Sequence, residues 1–274
     1  MTKNVLKPTK PIKQTSNTSV PALDRSVSIL DLLSQTRGGL SLGDIAKTIA
    51  IPKSSTHNLM LALVEHGLVR RNDDGEFSMG TKALQWGQTF NAGSQLMSAF
   101  DAAMRANTTL ESETVMLAIL DNTDVTYLAC HPGTRPLAVN FRVGGRFIAS
   151  CTSSGKAILS TINDIDIKQL YQQSSDAHYQ AGKLHKLTKH SLPTVSALCK
   201  QMAEIREFGY AQDNEETAEG MQCFGAPVFA AGSQRAVAGV AVSTIKASLT
   251  PKRRNEAIQA IRQLANDVSI RLGA

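Results

Sequence analysis

The feature that most constrains this chain is residues 41–67, SLGDIAKTIAIPKSSTHNLMLALVEHG, whose apolar spacing predicts two short helices across a tight turn. Leu42, Ile45, Ala46 and Ile49 recur at helical intervals, and Leu59, Met60 and Leu63 do so again, so each segment has one stripe to bury. Pro52 divides them. It cannot continue the first helix, but it suits the opening turn of the second, where its missing N–H is no loss. Lys53, Ser54, Ser55, His57 and Asn58 then fill the first turns of the second helix with polar groups that no core requires. A helix that starts this way can enter the major groove of duplex DNA, its N–H groups toward phosphate and its side chains at base edges. An ordinary helical hairpin with a Ser-rich turn shares the spacing.

The residues that follow favour the first reading. LVRR at 68–71 and EFSM at 76–79 read as two strands around Asn72-Asp73-Asp74-Gly75, with Asp-Gly closing the hairpin. Helix, turn, helix and a two-stranded wing make a winged DNA-binding domain. Arg70 and Arg71 at the base of the wing are placed to meet phosphate, although exposed arginines on a hairpin often only solvate it.

The run DIAKTIAIPKSSTHNLMLALVEHGLVRRNDDGEFSMG resembles the DNA-binding domain of the IclR-type bacterial transcriptional regulators. Members typically show a Leu-Pro-Lys-Ser-Thr recognition turn, a Leu-x-x-Leu-x-x-x-Gly-Leu-Val helix exit and an Arg…Gly-x-Tyr/Phe-x-Leu-Gly wing. The resemblance implies double-stranded operator DNA as partner, contacted by Arg25, Lys53, Ser54, Ser55, His57, Asn58, Arg70 and Arg71. It departs from the family pattern at Asn58, where many members carry arginine. Asparagine bonds adenine bidentately whereas arginine favours guanine or phosphate, so the operator preference of relatives does not carry over.

With 274 residues, 42% hydrophobic and 19% charged, the chain has room for two ordinary globular domains. Its net charge is +6, and residues 1–80 hold ten lysines and arginines against seven acids, half of the surplus in under a third of the length. Such asymmetry fits a polyanionic partner. No apolar run reaches the roughly twenty residues of a membrane span, and the N-terminus lacks the apolar centre of a signal peptide, so a cytoplasmic location without membrane contact is expected. Cys130, Cys151, Cys199 and Cys223 are scattered without a CxxC pair, which suits a reducing compartment and gives no metal site.

In chain order the expected layout is a disordered basic arm at 1–20, a winged helix-turn-helix domain at 21–80, linker helices at 81–112 and an effector-binding domain at 113–274. The arm is rich in Lys, Thr, Ser and Pro and has no acidic residue. LDRSVSILDLLSQ from Leu23 reads as an amphipathic helix with Val27, Leu30 and Leu33 on one face, ended by Arg37-Gly38-Gly39. Residues 81–112 read as helix, interrupted near Asn91-Ala92-Gly93-Ser94. Leu84, Trp86, Phe90, Leu96, Met97 and Phe100 give it more apolar surface than one short helix hides within its own domain, so its first part reads as an interdomain linker helix and Trp86 as a packing residue at a subunit or domain contact.

From Glu113 the pattern turns to strands: TVMLAILD, DVTYLACH and PLAVNFRV, the third ended by Gly144-Gly145. SSGKAILSTI, DIDIKQLYQQ and PTVSALCKQMAEIREFG read as helices, MQCFGAPVFAA and VAGVAVSTI as a closing pair of strands, and PKRRNEAIQAIRQLANDVSIRLG as a last amphipathic helix. The fold class is α+β, its second half an α/β sensor-like domain.

Ser154-Gly155-Lys156-Ala157, Gly209-Tyr210-Ala211-Gln212-Asp213 with Glu215-Glu216, Gly220-Met221-Gln222-Cys223 and Ala226-Pro227-Val228 are similar to landmarks of the IclR effector domain, which itself is similar to GAF-type small-molecule sensors. The resemblance implies an effector site with polar contacts from the backbone around Ser153 and Ser154 and from Asp213, Cys223 and Ser243, and an apolar wall of Val139, Phe147 and Met221. N–H groups at a helix opening suit a carboxylate, while Ser153 or Ser154 there is also an ordinary helix cap. Ala241 replaces a serine found in some relatives, removing one hydroxyl. Aromatic residues are only 5% of the chain, so no stacking cage is expected and a short carboxylate or semialdehyde is the expected effector. No cofactor is implied, and the family commonly assembles as a dimer or a dimer of dimers. The alternative is a small hydrolase-like enzyme with Cys223 as nucleophile beside Asp213 and one of His131, His178, His185 or His190, its N-terminal domain serving protein interaction. No histidine stands in a recognisable catalytic motif.

Overall fold

The computed structural model describes residues 20–36, 38–134, 141–174 and 177–274. The expected arm up to residue 19, Arg37 and Val139 lie outside the described residues, as does the side chain of His178. The described chain forms two compact units, one within Lys13–Ser94 and one built from Gln95–Ala274.

The first unit contains α1 (Pro21–Gln35), α2 (Leu42–Thr48), α3 (Lys53–Glu65), β1 (Val69–Arg71), β2 (Phe77–Met79) and α4 (Lys82–Ala92). Its core joins Ile29 and Leu33 of α1 to Ile45, Met60, Leu63, Val69 and Phe77. The face of α1 differs from the sequence expectation: Val27 is exposed and Ile29 buried. Ile29 and Leu33 are four residues apart and share a face, whereas Val27 is rotated about 200° from Ile29. The helix ends at Gln35 with Thr36 as C-cap, before the expected Arg37. No side chain of α4 is buried, and Leu84, Trp86 and Phe90 are exposed.

Ser41 caps α2, accepting from the Asp44 N–H at 3.2 Å. At the other end Ala50 adopts φ +53°, the Ile51 N–H reaches the Ala46 carbonyl at 3.1 Å and the Ala50 N–H reaches Lys47 at 3.4 Å. This is a Schellman stop with alanine where glycine is usual. Pro52 stands one place earlier than expected, as N-cap rather than in the helix, and its carbonyl accepts from the Thr56 N–H. The wing closes through a pair between the Asn72 N–H and Glu76 O at 2.7 Å, with Gly75 at φ +85°. Its loop is thus three residues with glycine in the left-handed position.

The second unit begins with α5 (Gln95–Ala106), which stops short of the expected residue 112 and buries Ala99, Phe100, Ala103 and Met104. Strands β3 (Thr114–Asp121), β4 (Asp124–His131), β5 (Arg146–Ile148), β6 (Ala211–Asn214), β7 (Met221–Val228) and β8 (Ala238–Ile245) form one sheet in the order β5-β4-β3-β8-β7-β6, every neighbour antiparallel. Both faces are covered. Val115 and Leu117 pack on one side with α5 and α9 (Pro251–Arg271), while Met116 and Ala118 pack on the other with α6 (Ser153–Leu159), α7 (Asp164–Gln172) and α8 (Val195–Phe208). This period of two explains why these strands read as almost continuously apolar.

Two strand expectations change. Most of PLAVNFRV lies outside the described residues, and Phe141 and Arg142 are not in a strand; the third strand is Arg146–Ile148, past the Gly144-Gly145 turn. Residues 211–214, part of a landmark in the sequence, form the edge strand β6, where only Ala211 and Asp213 are buried and the apolar alternation is too short to show as a strand. No helix among the described residues is long and apolar enough to cross a membrane.

Candidate functional site

The first candidate surface is the outer face of α3. Lys53, Ser54, His57, Asn58 and Leu61 are exposed and recur at intervals of three and four, while Thr56, Met60 and Leu63 on the opposite face are buried. Burying Met60 and Leu63 holds the helix by about 1.5–3 kcal/mol each and leaves the polar row outward. Ser55 is half-buried at the margin. Pro52 as cap leaves the first N–H groups of α3 without a side-chain acceptor of their own at the N-cap. On β1, Arg70 donates through Nε to Ser78 Oγ at 2.9 Å, and Arg71 lies 5.7 Å from the centre of the Phe77 ring. Both guanidinium groups remain exposed, and Arg25 is exposed on α1.

The second candidate site is assembled by sheet register. Thr114, Ser243, Cys223 and Asp213 stand directly opposite one another across β3, β8, β7 and β6, forming one row. The next row places Met116, Ala241, Gly225 and Ala211 together. Above it α6 lies directly on the sheet. A Cβ at Gly225 would stand 2.6 Å from the Ser153 carbonyl, and one at Gly239 would stand 2.6 Å from the Ser154 carbonyl. Ala241, the lost hydroxyl, belongs to this second row under the helix.

Between α6 and the row is a void of about 10 Å³, room for one water, lined by Met116, Tyr127, Phe141, Thr152, Ser153, Asp213, Thr217, Met221 and Cys223. Of the expected effector residues, Ser153, Asp213, Met221 and Cys223 line it. Cys223 donates through Sγ to Ser243 Oγ at 3.4 Å, so Ser243 backs the thiol. Phe147 stands behind Tyr127, ring centres 4.7 Å apart. The buried Ser154 hydroxyl has no hydrogen-bond partner of good geometry. The helix cap is neither serine but Thr152, whose Oγ1 accepts from the Gly155 N–H at 3.1 Å.

Tyr127, Phe141, Met116, Thr152 and Thr217 join the lining without having been expected. The rings correct the composition argument against a stacking cage: Phe141 meets Tyr127 edge-on at 5.3 Å and Phe147 at 5.7 Å, so three of the chain's few aromatics converge here. A low overall aromatic fraction says nothing about where the rings gather. Tyr127 could have been found from the alternation of β4, which puts it on the same sheet face as Val125.

Charge is buried beside the void. Asp213, 2% exposed, accepts through Oδ1 from the N–H groups of Glu216 at 2.7 Å and Thr217 at 3.2 Å. Lys156, fully buried on α6, reaches Glu216 Oε1 at 2.6 Å. Burial raises the carboxyl pKa of both Asp213 and Glu216, with Lys156 opposing the rise. Burial also pushes the Cys223 thiol well up, aided by Asp213, so the thiol stays protonated and is no activated nucleophile. A larger open groove of about 710 Å³ on the other sheet face, along α9, shares no residue with these groups.

The model for the C-terminal domain of bacterial transcriptional regulator IclR matches residues 92–270, and that for the IclR helix-turn-helix domain matches residues 22–73. The chain belongs to the IclR family. Among relatives of this IclR-family protein is the HTH-type transcriptional regulator BhcR of Paracoccus denitrificans, 28% identical over 251 residues, 91% of this chain and 86% of the relative. The structure of the Agobacterium tumefaciens repressor BlcR is 30% identical with a TM-score of 0.58, covering 93% of this chain and 98% of that one. An IclR homologue from Microbacterium hydrocarbonoxydans, complexed with 4-hydroxybenzoate, shares the fold at 19% identity and a TM-score of 0.72, covering 92% of this chain and 99% of that one. This IclR-family chain is a transcriptional regulator with a helix-turn-helix DNA-binding domain, and not an enzyme.

Proposed function

We propose that this regulator is a repressor that leaves its operator when a short carboxylate or semialdehyde metabolite enters the void beneath α6, controlling a catabolic operon. The observation that carries the ligand half is the convergence, on one void, of Ser153, Asp213, Met221 and Cys223 from separate segments of the chain. The void has room for one water as it stands, so α6 and the sheet have to part for a metabolite to bind among these groups. Repression is supported by the name of BlcR as a repressor. The ring cluster at Tyr127, Phe141 and Phe147 also suits an aromatic acid, and the Microbacterium homologue is complexed with one.

For the DNA half, Lys53, Ser54, Ser55, His57 and Asn58 read base edges and nearby phosphate, while Arg25, Arg70 and Arg71 meet the backbone. A dimer, or a dimer of dimers, sets two recognition helices in successive half-sites about one helical turn apart in a cytoplasmic operator complex. Release requires that the effector bind one state of the protein more tightly than the other. The test is fluorescence anisotropy on DNA from the gene's own upstream region, with a panel of pyruvate, lactate, succinate semialdehyde and 4-hydroxybenzoate. Salt-sensitive, sequence-preferring binding released by one compound is expected. Binding that no compound alters would overturn the effector reading and leave the DNA role.

A further inference from the structure

The groups around the void carry an unbalanced charge. Two buried carboxylates, Asp213 and Glu216, share one buried ammonium, and Lys156 Nζ is committed to Glu216 at 2.6 Å. Even so, Glu216 Oε2 has no hydrogen-bond partner. Asp213, which lines the void, receives two backbone N–H groups on one oxygen and the Thr217 hydroxyl, and has no direct ion pair. The other titratable groups that face it are Tyr127 from β4, Cys223 from β7, and Cys151 ahead of α6. Burial raises all three above neutrality, Cys151 to about 11, so none supplies a positive charge and each is neutral near pH 7. Where Asp213 is ionised, an anion placed beside it therefore meets a second negative charge in a buried site, where desolvation makes two like charges costly.

We propose that the void takes its anionic effector together with one proton, held on the Asp213 oxygen that the two N–H groups do not engage, so that ligand carboxylate and Asp213 enter as a hydrogen-bonded pair of net charge minus one. This rests on the carboxylate reading above. The proton comes from solvent, one O–H bond forms on Asp213, and no other bond changes. The group that pairs with Asp213 is the carboxylate, which a 2-oxo acid and a 2-hydroxy acid share, so both take the proton.

The experiment is calorimetric titration of the full-length chain with pyruvate and lactate, a pair differing in carbonyl against hydroxyl, from pH 6 to 8 in buffers of different ionisation enthalpy. Pyruvate and lactate should both bind with proton uptake and tighten as pH falls, by up to about tenfold per unit where free Asp213 is ionised. In Asp213→Asn the uptake should vanish and pyruvate affinity at pH 8 should rise. That variant keeps a carbonyl oxygen for the two N–H groups, and the buffer dependence of the unaltered protein needs no variant. Pyruvate binding with no uptake and a flat pH profile would overturn the proposal while leaving the carboxylate class intact. Uptake that persists in Asp213→Asn would overturn it by moving the proton elsewhere, Glu216 being next. No binding of pyruvate, lactate, succinate semialdehyde or 4-hydroxybenzoate at any pH would overturn the effector class and the proposal with it.

Discussion

The N-terminal unit carries its candidate chemistry outside and the C-terminal unit carries its own inside. On α3 Lys53, Ser54, His57 and Asn58 are exposed, and the helix is held by Met60 and Leu63 behind them. Around the void, Asp213, Glu216 and Lys156 are themselves buried and depend on one another. A surface of the first kind can change its side chains without endangering the fold. In the second kind the recognising groups and the stabilising groups are the same, so function and stability must move together.

The sharpest way to break this contrast is Lys156→Met. Removing the ammonium leaves Glu216 buried without its partner, and breaking a buried pair from one side costs about 3–5 kcal/mol. Lys53→Met on the exposed face of α3 should stay within about 0.5 kcal/mol. Denaturant unfolding measures both. The sign of the pH effect adds a check. Burial raises the folded-state pKa of Glu216 and Asp213, so protonation favours the folded form and stability is lost as pH rises through the raised values. Without Lys156 to oppose that rise, Lys156→Met should recover more stability than the unaltered chain as pH falls. Equal losses for the two variants would mean that the buried groups are not interdependent.

A second test concerns packing. Gly225→Ala puts a methyl 2.6 Å from the Ser153 carbonyl carbon and oxygen, so α6 must lift from the sheet. Overpacking of this kind costs about 1–3 kcal/mol. It should also weaken any ligand in the void, seen as a lost thermal shift with the bound compound. Unchanged stability and binding would show that the contact between helix and sheet is looser than the geometry implies.

The contrast also explains what could be read without a structure. Helix α3 lies within one run of sequence, so periodicity alone places Met60 inward and Asn58 outward. Distant register assembles the void: Asp213, Cys223 and Ser243 meet only because β6, β7 and β8 pair as they do. Family landmarks led to those three, and the alternation of β4 points to Tyr127, but nothing in the spacing of Phe141 or Thr217 reveals that they line the same space. The misjudged face of α1 has a simpler cause. Its sequence offers two apolar stripes, and Val20, Leu23 and Val27 form one that remains exposed.

On the outer surface the expected effects are on binding rather than folding. Asn58→Ala should remove about 1–3 kcal/mol of discrimination at one operator position, and Arg70→Ala should weaken all sequences together while lowering the salt slope by about one. Both should melt within about 0.5 kcal/mol of the unaltered chain. Competition binding on operator variants across a salt series separates the two. If neither changes binding, α3 and the wing are not the DNA surface.

The smallest effect expected belongs to the turn that sets α3 on its course. Ala50 holds φ +53° at the end of α2, a conformation in which its Cβ crowds the backbone and which glycine adopts freely. Ala50→Gly should therefore stabilise the N-terminal unit by about 1 kcal/mol, less whatever the glycine gains in unfolded freedom. Because the Ile51 and Ala50 N–H bonds to Ala46 and Lys47 do not involve the side chain, the angle between α2 and α3 should persist and operator affinity should not move. A raised melting transition with unchanged DNA binding is the expected pair of results. A raised transition with weakened binding would mean instead that the alanine's strain tunes the entry of α3, and the division between a replaceable outer surface and a stable core would fail at this turn.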